Sequence, residues 1–161
     1  MAKVRTTTRN DLDARLRERM IGLLNPQLAD TMDLYTQVKQ AHWNVKGPHF
    51  IALHELYDKL AEELEDPIDD IAERVTALGG VARGTARIAA GESRLPELPL
   101  ASLDGLKLTA LLADRYAALA KSTRAAIESA DHAGDADTAD LFTGISRGLD
   151  KALWFLEAHL Q

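Results

Sequence analysis

Apolar residues recur along this chain at intervals of three or four over most of its length, the period of an amphipathic α-helix. Asn10 is placed to cap a short first helix carrying Leu12, Leu16 and Met20. Asn25 followed by Pro26 predicts a fresh start, with proline in the first turn where its missing N–H does no harm. From there Leu28, Met32, Tyr35, Val38, His42 and Val45 form one stripe, ended by Gly47 and Pro48. A long second helix is predicted from about Phe50 to Leu78, with Leu53, Leu56, Tyr57, Leu60, Leu64, Ile68, Ile71, Val75 and Leu78 as its apolar stripe and Gly79 and Gly80 as its stop. Pro67 falls inside it, which predicts a bent but continuous helix. A less regular stretch from Val81 to about Ser102 holds Pro96 and Pro99 and one short helical piece. Two more helices follow. One carries Leu108, Leu112, Tyr116, Leu119 and Ile127; the other, beyond the polar stretch from Asp131 to Asp137, carries Leu141, Ile145, Leu149, Ala152, Leu156 and Leu160. Four main helices and a long middle connection predict an all-α four-helix bundle with a crossover.

The second helix also carries the chemistry. Taking His54 as zero at 100° per residue, Asp58 lies near 40°, Asp69 near 60° and Glu73 near 100°, while the apolar stripe occupies roughly 200° to 320°. These four candidate ligands therefore face away from their own core. Eleven residue steps separate Asp58 from Asp69, about 16 Å of helix, whereas metal–ligand bonds are about 2 Å long. One chain cannot bring the two pairs to one ion. A solvated face is the usual reading of such charges, but the run from Glu62 to Glu73 holds seven acids and no base. Close like charges cost about 4 kcal/mol per pair at an effective dielectric of 20, a cost a bound cation relieves. Two copies laid antiparallel about a twofold axis near Glu63 and Leu64 would set each leading pair, His54 and Asp58, against the other's trailing pair, Asp69 and Glu73.

Composition narrows the chemistry. The 161 residues contain no cysteine, which removes disulfides, zinc-thiolate sites, iron–sulfur clusters and thiol catalysis, and fits a reducing compartment. A donor set of imidazoles and carboxylates suits iron, manganese or zinc better than calcium, and iron best, because such shells hold both Fe(II) and Fe(III). The ExxH signature of di-iron bundles is absent, which moves the site out of the bundle and into an interface. A net charge of -6 argues against a body that binds nucleic acid by bulk electrostatics. No apolar run reaches the roughly 20 residues that span a bilayer, and the start lacks a signal peptide's apolar core, so a cytoplasmic protein is expected.

The segment HWNVKGPHF from His42 to Phe50, His54 and Asp58 in HELYD, and Asp69 and Glu73 in DDIAERVTALGG together resemble the Dps family, the DNA-binding proteins from starved cells that are mini-ferritins. LADRYAAL near Tyr116 and SRGLDKALWFLEAHL at the end extend the resemblance over nearly the whole chain after the first dozen residues. It implies a flexible tail over residues 1–10 and one ferritin-like four-helix-bundle domain over 11–161, assembled from twofold dimers into a hollow homododecamer in the bacterial cytoplasm or nucleoid. His42, otherwise a histidine on an apolar stripe, becomes the fifth ligand by this resemblance. His42, His54 and Asp58 would come from one subunit and Asp69 and Glu73 from its partner. Fe(II) and hydrogen peroxide are the implied substrates, with peroxide preferred to dioxygen, a di-iron centre in prospect, and zinc or manganese able to substitute.

Other residues keep two readings. Trp43 beside His42 either intercepts stray oxidising equivalents or simply packs. Asp131, Asp135, Asp137 and Asp140 either cap and solvate a turn or, as the resemblance implies, line a threefold pore that admits Fe(II). Lys3, Arg5 and Arg9, in an opening decapeptide without acids, match the basic tails through which some relatives bind DNA; an inert tail is the alternative. A third function class is an interface site where zinc only stabilises the assembly.

Overall fold

The computed structural model describes residues 6–99, 101 and 104–161. Its helices are α1 (Ala14–Asn44), α2 (Phe50–Ala77), α3 (Ala86–Glu92), α4 (Gly105–Ala133) and α5 (Ala136–Glu157). α1 packs chiefly on α2 and α4 chiefly on α5, so the bundle is two helical hairpins face to face. The connection from α2 to α4 is the crossover, and the short α3 within it lies against α1. No strand occurs among the described residues, only an isolated bridge between Lys46 and Asp104. None of the described helices is long and apolar enough to cross a membrane.

The start of the bundle differs from the sequence expectation. α1 is one helix of 31 residues that begins at Ala14 and passes through Pro26. Its cap is Asp13, whose Oδ1 accepts from the Arg15 and Leu16 amides at 2.8 and 3.3 Å; Asn10 instead holds a local turn by accepting from the Leu12 amide. Met20, Leu24 and Leu28 are all at most 1% exposed and continue one stripe across the proline. Burying each such side chain is worth about 2 kcal/mol, enough to offset one lost backbone hydrogen bond. Asn25 does not cap. Its amide donates to the Ile21 and Val81 carbonyls, and its Oδ1 accepts from the Arg83 amide at 2.9 Å, tying α1 to the crossover.

α2 runs unbroken through Pro67. Beyond its cap, Gly79 takes φ +81°, and a side chain there would meet the Thr6 carbonyl oxygen at 3.0 Å. That carbonyl belongs to a strap: Thr6 N–H donates to the Gly79 carbonyl, and Arg17 Nη1 donates to the Leu78 carbonyl. Residues 6–10 of the expected tail therefore lie along the end of α2, while residues 1–5 fall outside the described residues.

The crossover is fastened by a buried carboxylate. Asp30 of α1, 1% exposed, accepts from the Arg94 amide at 2.7 Å and from its guanidinium at 2.9 and 2.6 Å. The polar stretch between the last two helices is mostly helical: α4 ends on Gly134 in the left-handed region, φ +88°, and α5 begins two residues later under an Asp135 cap. Leu160 lies beyond α5 and is 42% exposed, so its stripe ends at Leu156.

Candidate metal centre

The C-terminal turn of α1 and the N-terminal turns of α2 bring His42 and His54 together, with Asp58 beside His42. His42 Nδ1 lies 2.8 Å from the His54 carbonyl oxygen, and His54 Nδ1 lies 2.9 Å from the His42 carbonyl oxygen. A carbonyl only accepts, so each Nδ1 carries the proton and donates it. In the neutral ring this tautomer leaves Nε2 with the lone pair, the form in which imidazole ligates a metal. The rings stack at 3.9 Å between centroids and 20° between planes, with Phe50 against the outer face of His54 at 5.2 Å.

Asp58 completes this half-site. Its Oδ1 is 3.6 Å from His42 Nε2 and only 2.6 Å from the Lys39 ammonium. The hydrogen bond from Lys39 holds the Asp58 carboxyl below the usual carboxylate range, and the same contact raises the Lys39 pKa. Lys39 was not singled out from the sequence. The available signal was its spacing three residues before His42, which places both on one face of α1.

Asp69 and Glu73 are exposed, pointing away from the core on the acidic face of α2. Among the described residues no three His, Asp or Glu side chains of one chain come near enough to hold an ion. The chain thus presents two imidazoles and one carboxylate at one end of α2 and two unshared carboxylates further along. The sulfur-free nitrogen and oxygen set fits iron in either oxidation state.

Around this half-site Trp43 is 67% exposed and Ile51 is 61% exposed. Trp43 is therefore not a packing aromatic of this chain's own core. The four aspartates of the α4–α5 region do not share one environment. Asp131, Asp137 and Asp140 are exposed, but Asp135 is 2% exposed. Its carboxylate accepts from Arg74 Nη2 at 2.7 Å, from the Thr138 hydroxyl at 2.6 Å and from the Thr138 amide at 3.1 Å. Asp135 is thus a buried cap and ion-pair partner, and a pore could draw only on the other three. Asp140 also borders a cavity of about 370 Å³ between α2 and α5, lined as well by Glu63, Pro67, Asp70, Tyr116 and Arg147. Of the basic tail residues, Arg9 is exposed, while Lys3 and Arg5 lie outside the described residues.

Comparison with known proteins gives one family. The Ferritin family model, a ferritin-like domain, matches residues 21–161. The DNA protection during starvation protein of Agrobacterium fabrum is 46% identical over 154 residues, covering 96% of this chain and 95% of that one. The solved structure of DpsC from Streptomyces coelicolor superposes with a TM-score of 0.93 at 31% identity, covering 98% of this chain and 92% of its own. A Dps protein from Vibrio cholerae O1, described as a member of a broad superfamily of ferritin-like diiron-carboxylate proteins, is similar at TM-score 0.89 and 27% identity, over 97% of this chain and 98% of its own.

Proposed function

The chain belongs to the Dps family of ferritin-like proteins, and on that premise we propose that it is an iron-detoxifying mini-ferritin. It oxidises Fe(II), with hydrogen peroxide preferred, at sites completed between two copies, and it stores the ferric product in a dodecameric shell. The observation that carries this is the reciprocal hydrogen bonding of His42 and His54, which turns the Nε2 of each ring away from the backbone, that of His42 lying 3.6 Å from Asp58.

In this reading His42, His54 and Asp58 of one copy and Asp69 and Glu73 of a second form each site. The imidazoles, protonated on Nδ1, are neutral at the metal-facing nitrogen, so the carboxylates supply all the negative charge that a growing ferric charge requires. Lys39 releases Asp58 when iron binds. Two Fe(II) ions lose one electron each to one peroxide, whose O–O bond breaks as it takes up two protons and leaves as two waters. Pairing the electrons avoids free hydroxyl radical. The shell is built from twofold dimers, with residues 11–161 as the bundle and residues 6–10 strapped along α2, and it works in the cytoplasm.

Stopped-flow oxidation of Fe(II) by peroxide tests the assignment. Asp69→Ala together with Glu73→Ala should abolish the fast phase, and an intact rate would show that the ligands are wrong. Absence of the fast phase in the unaltered protein would favour a zinc-stabilised assembly without redox chemistry. Native particle mass and metal content before and after iron loading test the shell.

DNA protection is the second reading, favoured by the name of the Agrobacterium relative and by the acid-free basic start. Twelve arms carrying Lys3, Arg5 and Arg9 would act by avidity and counterion release. A gel shift at low and moderate salt, with and without the first nine residues, decides it: equal retardation of both proteins removes the arm from the mechanism.

A further inference from the structure

The chain has three tyrosines, and their hydroxyl partners differ in kind. Tyr57 is fully buried, with its oxygen on Thr109 Oγ1 at 2.7 Å and the Gly105 carbonyl at 3.1 Å. Burial pushes its phenol up to about 12. Tyr116 is 1% exposed, donates to the Leu60 carbonyl at 3.3 Å, and is also raised by burial. Neither partner is a base, so an electron could leave these rings only by stranding a proton in the core, and a buried unpaired charge is costly.

Tyr35 is different. Its ring packs at the edge of the core on α1, and its hydroxyl faces Glu65 Oε1 of α2 at 3.4 Å. Glu65 is exposed and offers a carboxylate that can take the phenol proton. Tyr35 also lies on the metal-site face of α1: Lys39 is four residues on and His42 seven, about 10 Å of helix rise. Trp43, the aromatic next to His42 in sequence, has no hydrogen-bond acceptor for its indole among the described residues, whereas Tyr35 has its base in place.

We propose that Tyr35 is a redox-active residue of this iron site, giving the second electron when peroxide meets a site that holds a single Fe(II). This rests on the iron-oxidation reading above. The single Fe(II) gives one electron and becomes Fe(III). Tyr35 gives one electron, its phenol proton passes to Glu65, and a neutral phenoxyl radical remains. Peroxide takes both electrons with two protons, one released through Glu65 and one from solvent; its O–O bond breaks and two waters leave. Without a second donor, the same Fe(II) reduces peroxide by one electron to hydroxide and hydroxyl radical. Tyr35 and Glu65 thus guard the half-loaded site, where electrons cannot be paired by iron alone.

The assembled protein, loaded with one Fe(II) per subunit, would be mixed with hydrogen peroxide and freeze-quenched for electron paramagnetic resonance, with hydroxyl radical spin-trapped in parallel. The expected result is a tyrosyl signal that is lost in Tyr35→Phe, with a rise in trapped hydroxyl radical. Glu65→Gln, which keeps the ring but removes the base, should also weaken the signal. A purely structural role for the hydroxyl would leave the signal in place. A tyrosyl signal that survives Tyr35→Phe, a signal of tryptophan alone, or no protein radical while iron is oxidised overturns the proposal. Failure of the unaltered protein to oxidise Fe(II), followed by absorbance in the same samples, overturns the iron reading itself and Tyr35's role with it.

Discussion

The Lys39 ammonium sits 2.6 Å from Asp58 Oδ1, the same oxygen that His42 Nε2 faces at 3.6 Å. An incoming cation must therefore displace an ammonium before it gains this oxygen. Lys39→Met should tighten Co(II) or Zn(II) binding by a factor of a few, the scale of a partly exposed ion pair. Calorimetric titration of the metal-free protein measures it. Weaker binding in the variant would mean that Lys39 supports Asp58 rather than competing for it.

At the α4–α5 turn the pairing is deeper. Asp135 is almost fully enclosed and Arg74 is its cation. Asp135→Asn removes the buried carboxylate from Arg74, leaving it only the longer contact to exposed Asp137 at 3.7 Å, and should cost roughly 3 kcal/mol, as breaking buried pairs does. Denaturant unfolding at fixed protein concentration gives the value, and a loss within error of zero would contradict the buried pairing.

Asp140, in contrast, is exposed and makes no such bond among the described residues. If it helps to draw Fe(II) inward, Asp140→Asn should slow iron uptake while leaving the metal affinity of the ligand set unchanged. Uptake at the original rate would end that role.

In the crossover, the hydrogen bond from Arg83 holds the Glu92 carboxyl below its ordinary value. A carboxyl depressed in the folded state stabilises above its unfolded pKa, about 4.3 for glutamate, and loses that contribution as pH falls through the folded value. Glu92→Gln should therefore lower the melting temperature at neutral pH, and the difference from the unaltered protein should close in acid. A difference that persists at pH 3 would assign the loss to packing rather than charge.

Much of this architecture was legible because its signals are local. On α2, Leu53, Tyr57, Leu60, Leu64, Ile71 and Val75 keep a helical period and all are buried, and the glycines at 79 and 80 mark its end. The chemistry-bearing face followed from the same wheel, since residues off the apolar stripe must face outward. Asn25 and Pro26 misled for the converse reason: together they look like a helix start, whereas the continuity of α1 depends on burial of Met20 and Leu24 against distant segments. Asp135 was one acid among four in the sequence. Its separation from the others depends on Arg74, 61 residues away, and no spacing rule encodes that meeting. The half-site was visible as residue types, but its proton placement was not, because it arises from two backbone carbonyls rather than side chains.

The crossed hydrogen bonds of His42 and His54 also work as a clasp, closing the last turn of α1 onto the first turns of α2. The contacts that ready the imidazoles for metal are thus among those that fasten one of the two hairpins of the bundle. Ligand binding and folding then draw on a common set of atoms, and thermodynamic linkage makes the dependence mutual. Metal should make the hairpin harder to open, and any change that loosens the hairpin, however far from the ligands, should weaken the grip on metal.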